Sequence, residues 1–361
     1  MRASSEAKPR VCIYVPIDKS GDSHRLIEAA GCEVVLGDAS WRSGIDRDEL
    51  LKIAEGADAL MGATIKRMPI DRSFFERLPD LRIISKYSIG VEDVDLDAAT
   101  ELGVLVTHCP TEANWGGVAE GTIAFMLALL KRVRERDQHV KDGGWRDSSL
   151  LGTYLGVRQD GYAGITVGII GLGRIGSRVA NLLAPWRVRL LACDPYVDDA
   201  LFVHHNARPV DLNDLLAESD VVTLHCNLTA ETRGLIDRER LALMKSSAFL
   251  INTSRGPVVD IDALCDALAS DRLAGAALDV LPKEPPEIDD RVLGMGDKVL
   301  LAPHMVSANV PGTLAPAIPW ATDATMAALR GEVPDHVCNV DAIPLWLDRF
   351  GGNPLVPVVT G

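Results

Sequence analysis

Residues 166–176 read TVGIIGLGRIG, and this stretch constrains the fold more than any other part of the chain. Thr166–Ile170 is uncharged and β-rich, the composition of a strand buried on both faces. Gly171-Leu172-Gly173-Arg174-Ile175-Gly176 then opens a helix that runs on through Val179 and Leu183. A G-x-G-x-x-G run alone is weak evidence. Between strand and helix it predicts a parallel βαβ unit whose loop binds a pyrophosphate at the helix N-terminus. Gly171 allows the tight turn, Gly173 lets backbone approach the phosphates, and Gly176 lets helix and strand pack closely. The next strand ends at Asp194, where a carboxylate can hold both ribose hydroxyls and repel a 2′-phosphate. Pro195 and Tyr196 follow, with no arginine, so NAD is expected over NADP.

Strand–helix alternation extends to either side of this motif. Before it, strands are expected at Val11–Val15, Glu33–Leu36, Ala59–Met61, Leu81–Ser85 and Val104–Thr107. Asp22 is expected to cap a helix ending near Gly31. Asp46 with Glu49 starts another in capping-box fashion, and Asp95–Leu102 forms a third that stops at Gly103. After the motif, strands are expected at Val188–Cys193, Val221–Cys226, Ala248–Thr253, Ala276–Val280 and Val299–Ala302. The pattern predicts an α/β chain with two doubly wound parallel sheets. Trp115, Val118, Thr122, Phe125, Met126, Leu129 and Val133 follow helical spacing, which predicts one long helix over 115–141. Its middle is apolar nearly all round. Either it joins two domains and meets a second subunit, or it is the core helix of one domain. Residues 142–164 are glycine-rich and read as an irregular connection. The proline-rich tail from Pro334 reads as a packed arm.

Composition narrows the partners. With 37 basic and 51 acidic residues the net charge is −14, the wrong sign for a nucleic-acid protein. Lys131, Arg132, Arg134 and Arg136 alternate with Glu135 and Asp137, the pattern of a solvated helix end. The seven cysteines are scattered, odd in number and never in C-x-x-C spacing, so a reduced, cytoplasmic setting is expected. MRASSEAKPR has no apolar segment of a secretory leader. The apolar run Ile123–Leu130 is far short of the roughly 20 residues a membrane helix needs, so no membrane partner is expected. His204, His205 and His225 suit no standard metal site, and no metal is expected.

Three later strands end in polar residues: Ser254-Arg255-Gly256, Asp279 with Glu284 beyond it, and His304. In an open α/β sheet ligands bind outside the carboxyl ends of the strands, so these groups should converge beside the nicotinamide. Hydride reduction of a carbonyl needs a cation on the substrate carboxylate and carbonyl, which Arg255 can supply bidentately. It needs a proton donor, and histidine suits that task at neutral pH. A carboxylate beside it, Glu284, would orient the ring. Singly, Arg255 reads as a surface residue, Glu284 as part of a solvated Lys-Glu-Pro-Pro loop, and His304 as a satisfied buried histidine. The set, in this order after a dinucleotide loop, carries the reading.

With these residues in place, the chain resembles the D-isomer-specific 2-hydroxyacid dehydrogenases over roughly residues 45–330. The most specific stretches are Val167–Gly176, Asn252–Asp260, Ala276–Val280 with Glu284-Pro285, and Ala302-Pro303-His304. The resemblance implies Arg255, Glu284 and His304 as a catalytic triad acting on a small 2-hydroxy or 2-keto acid. Cofactor contacts are expected from Gly171, Gly173, Arg174, Ile175, Gly176, Asp194, Cys226, Thr253 and Asp279, the last on the nicotinamide carboxamide. Lys86-Tyr87-Ser88-Ile89-Gly90-Val91 resembles the family's substrate loop, which implies Ser88, Ile89 and Gly90 as substrate-binding residues with the amides of Ile89 and Gly90 on the substrate carboxylate. The implied architecture is a discontinuous, flavodoxin-like substrate domain (1–113 and 308–361) around a Rossmann NAD-binding domain (114–307), paired as a homodimer. The chain departs from the family pattern at Ser88, at Glu92-Asp93, at Asn227 and at Met305-Val306, all expected near the substrate or nicotinamide. Lys86, Tyr87, Trp115 and Met305 could all face the pocket, and the sequence does not rank them. A formate-oxidising relative would have glutamine at 284. An NAD(H)-sensing corepressor of the same fold would keep these residues and differ in turnover.

Overall fold

The computed structural model describes residues 8–65, 70–309 and 314–357. Residues 1–7, part of the stretch read for a leader, lie outside the described residues. The chain divides into two compact units, Met1–Asn114 with Val310–Gly361, and Trp115–Asn309.

The first unit holds a five-stranded sheet of β1 (Arg10–Val15), β2 (Glu33–Leu36), β3 (Ala59–Gly62), β4 (Ile83–Lys86) and β5 (Leu105–Thr107), ordered β2-β1-β3-β4-β5. The second holds β6 (Thr166–Ile170), β7 (Arg189–Cys193), β8 (Ala207–Pro209), β9 (Val221–Leu224), β10 (Phe249–Asn252), β11 (Gly275–Leu278) and β12 (Val299–Leu301), ordered β12-β11-β10-β9-β6-β7-β8. Every ladder is parallel, and both sheets are doubly wound, as the alternation predicts. The winding reverses between β1 and β3 in one sheet and between β6 and β9 in the other, the crevices where such folds take ligands. Both faces of the second sheet are covered. Leu250 and Leu278 join one apolar cluster and their neighbours Ile251 and Ala277 another, as period two requires. That double burial is why these strands read as continuous apolar runs.

Four features differ from the sequence reading. β8 was not expected: it has one buried residue and ends in proline, so it carries no strand pattern and survives only as an edge. The helix at Asp22–Ala29 takes Gly21 as its N-cap, and the carboxylate that accepts the Ser23 N–H is Asp18, at 2.8 Å. The helix expected over 115–141 is two helices, Glu112–Lys131 and Val133–Lys141, broken by Arg132 in a left-handed conformation at φ 51°. Val133 still falls on the apolar spacing, so periodicity could not register a one-residue break. Glu112–Lys131 is long and apolar enough to cross a membrane by length and composition. Its residues Ala119, Phe125, Met126, Leu129 and Leu130 instead lie in the core of the second unit. Finally, the tail includes a helix, Ile343–Phe350, whose Trp346 is fully buried and donates to the Arg82 carbonyl at 2.9 Å. The packed arm thus completes the core of the first unit.

Candidate active site

The glycine loop is built as its sequence demands. Gly171 has φ +89°, and a Cβ there would lie 2.8 Å from the Cys226 nitrogen, so side-chain residues are excluded twice over. A Cβ on Gly176 would meet the Gly171 carbonyl oxygen at 2.1 Å, which is the close packing of helix on loop. Gly173 differs: its φ is −70° and a Cβ would meet nothing within 4 Å. The protein itself has no need of glycine there, whereas a ligand backbone or pyrophosphate approaching the loop does. Gly173 is also the N-cap of the helix Arg174–Leu183 and makes no side-chain cap, so the first-turn amides meet an anion without a competing carboxylate or hydroxyl. Asp194 follows β7 and ties the loop down, with Oδ2 accepting the Leu172 N–H at 2.8 Å and Oδ1 the Tyr196 N–H at 3.0 Å. Each oxygen keeps a lone pair for a ribose hydroxyl. Cys226, just past β9, has its backbone nitrogen against Gly171; the residue is half-buried, and burial pushes its thiol up to about 11, so it is a neutral group. These residues fit a dinucleotide.

The catalytic candidates stand on the loops after β10, β11 and β12. Arg255 follows Asn252, Thr253 and Ser254, and the buried Asn252 side chain latches this turn. Its Oδ1 accepts from Ser254 N and Oγ at 3.0 and 2.9 Å, and its Nδ2 donates to the Arg255 carbonyl at 3.0 Å. Arg255 Nη1 donates to the Ser254 carbonyl at 2.8 Å. A Cβ on Gly256 would lie 2.0 Å from the Leu281 carbonyl carbon, so the arginine turn is pressed against the loop that carries Glu284. Glu284 precedes a cis proline. Its Oε1 accepts the Leu281 N–H at 3.0 Å, and its Oε2 lies 2.7 Å from His304 Nδ1. His304 sits at φ +55°, a left-handed conformation uncommon outside glycine, with its N–H on the Asp279 carbonyl at 2.8 Å. Asp279 Oδ1 accepts the Met305 and Val306 amides at 2.9 and 3.1 Å, which shapes the turn after the histidine. Burial holds the Asp279 carboxyl above its ordinary range, outweighing the opposing Met305 amide, His304 and Val306 amide.

Sequence reasoning missed the buttress behind this edge. In the helix Glu112–Lys131, a Cβ on Gly121 would lie 1.9 Å from Val306 Cγ2 and one on Gly117 2.6 Å from Asn309 Nδ2. The two glycines let the segment after His304 lie directly on the helix. Thr122 Oγ1 meets Thr253 Oγ1 at 2.9 Å, tying the same helix to the arginine turn.

In the first unit, Ser88, Ile89 and Gly90 follow β4. The Ser88 and Thr64 hydroxyls, 2.8 Å apart, both reach the Gly90 carbonyl, at 2.9 and 3.1 Å. Of the residues that could face a pocket, Lys86 and Tyr87 are fully buried. Lys86 Nζ donates to Asp93 Oδ2 at 2.6 Å and to Tyr14 Oη at 2.9 Å. Burial pushes the Lys86 ammonium below its usual range and the Asp93 charge opposes that push. The aspartate at 93, read as a departure near the substrate, is the counter-ion of this lysine. Met305 is exposed.

Known proteins of the same kind share this arrangement of chain. Residues 123–306 match the model of the D-isomer specific 2-hydroxyacid dehydrogenase NAD-binding domain. A glyoxylate reductase of Thermofilum pendens is 37% identical over 93% of this chain and 96% of its own length. A D-3-phosphoglycerate dehydrogenase of Mycobacterium bovis is 36% identical over 87% of this chain, which spans only 58% of that protein. The crystal structure of a D-lactate dehydrogenase from Aquifex aeolicus, complexed with NAD and lactic acid, superposes with a TM-score of 0.74 at 27% identity, covering 92% of this chain and 97% of that one. With its glycine loop, its two doubly wound sheets and these matches, the chain belongs to the NAD-binding D-isomer-specific 2-hydroxyacid dehydrogenase family.

Proposed function

We propose that the protein is an NAD-dependent D-2-hydroxyacid dehydrogenase that interconverts a small 2-keto acid and its 2-hydroxy acid, with glyoxylate as the first substrate to test. The hydrogen bond between Glu284 Oε2 and His304 Nδ1, at 2.7 Å on the sheet edge that also carries Arg255 and the glycine loop, is the observation that supports it most. NAD, when bound, supplies or accepts the hydride. The chain binds, orients and moves a proton. With Nδ1 engaged, His304 Nε2 gives a proton to the developing alkoxide in reduction and takes it back in oxidation. Glu284, held by the Leu281 amide, fixes the ring and its tautomer. Arg255 grips the carboxylate and polarises the carbonyl. The amides of Ile89 and Gly90, with Ser88 beside them, take the substrate carboxylate. Gly171, Gly173, Arg174, Ile175, Gly176, Asp194, Cys226, Thr253 and Asp279 hold the cofactor.

On this reading the unit Trp115–Asn309 is the NAD-binding domain and the discontinuous unit binds substrate. The chain works as a cytoplasmic homodimer. Exposed Val133, Val140, Trp145, Leu151 and Tyr154 are apolar surface in keeping with a second copy. Glyoxylate comes first because the glyoxylate reductase match spans nearly all of both chains. The test is NADH consumption with glyoxylate, hydroxypyruvate, pyruvate, phenylpyruvate and 2-ketoisocaproate. Sustained turnover with one or more is expected. Tight NADH binding with slow consumption in every case would make the protein a nucleotide sensor instead.

A further inference from the structure

Three successive carbonyls after β4 are each held. The Cys109 N–H donates to the Ser88 carbonyl at 3.1 Å, His108 Nδ1 donates to the Ile89 carbonyl at 3.2 Å, and the Ser88 and Thr64 hydroxyls reach the Gly90 carbonyl. A trans peptide is planar, with its N–H opposite its C=O. Fixing the Ile89 carbonyl therefore fixes the direction of the Gly90 N–H. His108 is the side chain that does so. It stands at the carboxyl end of β5, its own N–H on the His336 carbonyl at 3.3 Å. Its ring meets the His336 ring edge-on at 6.2 Å, and His336 in turn stacks on Trp320 at 4.9 Å with 9° between planes. This aromatic row holds the imidazole in place, and the contact with a carbonyl requires the proton on Nδ1.

We infer that His108 is a positioning residue for substrate, aiming the Gly90 amide at the substrate carboxylate by donating from Nδ1 to the Ile89 carbonyl. The inference rests on the reading of residues 88–90 as the carboxylate-binding loop. It assigns His108 a role that is neither proton transfer nor direct contact. Losing it should weaken the keto acid and leave NADH binding and the chemical step alone.

Two nearly isosteric neutral replacements separate donation from shape. His108→Asn puts an amide N–H close to where Nδ1 lies, and His108→Leu puts a methyl there. In the full-length protein, His108→Leu should raise the KM for glyoxylate and the Ki of oxamate, a non-reducible keto-acid analogue, by about tenfold. Its kcat and NADH affinity should stay within about threefold of wild type, and His108→Asn should restore KM to within about threefold. Hydrogen exchange of the peptide spanning 87–92, with and without oxamate on the wild-type NADH complex, checks the loop separately. Oxamate should protect it. No protection overturns the loop reading and this inference together. Protection with equal KM values in the leucine and asparagine variants overturns the inference alone.

Discussion

Glu284 and His304 meet at 2.7 Å, Oε2 against Nδ1, while the other Glu284 oxygen is held at 3.0 Å by the Leu281 amide of its own loop. The carboxylate is thus fixed from one side and fixes the histidine from the other. The loop bearing Arg255 packs on the same Leu281 backbone through Gly256. Three loops from three strands are assembled around one short stretch of main chain.

The buttress behind His304 should be intolerant of a single methyl group. A Cβ at Gly121 would also lie 2.8 Å from the Val306 carbonyl oxygen, two residues past the histidine, so the turn must shift. Gly121→Ala should lower kcat by about tenfold or more, because small misplacements of a catalytic group are costly. NADH affinity, read by fluorescence titration, should stay within about threefold. Unchanged kcat would show that the turn does not depend on this helix.

Asp194 ties down the glycine loop through the Leu172 N–H and is the residue proposed to hold the ribose. Asp194→Ala should narrow the preference for NADH over NADPH in kcat/KM. It should also weaken NADH, because the Leu172 N–H loses its acceptor. A wild-type preference for NADPH would overturn this assignment.

Next to the loop 88–90, Lys86 and Asp93 form a fully enclosed ion pair, with side chains 0% and 2% exposed. Lys86→Met leaves a buried carboxylate without its counter-ion and should cost about 3–5 kcal/mol in urea unfolding. Lys86→Met with Asp93→Asn removes both charges and should recover more than half of that loss. Equal losses in the single and double variants would show that the charge is not what the pair compensates.

Half-buried His225, with its Nδ1 enclosed, gives a stability term with a defined pH window. Its Nε2 lies 3.0 Å from Thr223 Oγ1, Nδ1 has no hydrogen-bond partner, and burial lowers the ring to about 3 from an ordinary 6.5. The folded chain keeps the ring neutral while the unfolded chain protonates it through 6.5. Its stabilisation is therefore complete above that value and is lost as pH falls from 6.5 toward 3. The slope is at most about 1.4 kcal/mol per pH unit for one proton. Between about pH 7 and about pH 4.5, wild type should lose more unfolding free energy than His225→Gln. Equal losses would show that His225 does not titrate on unfolding.

What the sequence disclosed follows from where the chemistry sits. A polar residue within three positions of the end of an apolar strand marks the carboxyl edge, so the places of Asp194, Arg255, Asp279 and His304 on that edge were legible from order alone. Glycines forced by local geometry, such as Gly171, were equally legible. Partners distant in sequence were not. Gly121 matters because of Val306 and Thr122 because of Thr253, and neither pairing leaves a periodic trace. Lys86 could not be oriented from sequence, because a lysine at the end of an apolar strand gives no sign of the aspartate seven residues on that pairs with it. Asn252 reads as a strand end, yet its side chain shapes the arginine turn.

The most direct test is steady-state NADH consumption by wild type and by His304→Gln, with NADH binding measured on both. The account predicts multiple turnovers of a 2-keto acid by wild type, a fall of about a hundredfold or more in kcat for the glutamine variant, and NADH affinity unchanged within about threefold. A variant that turns over within a few-fold of wild type, or a wild type that binds NADH without consuming it, would contradict the assignment of His304 as the proton donor of a dehydrogenase.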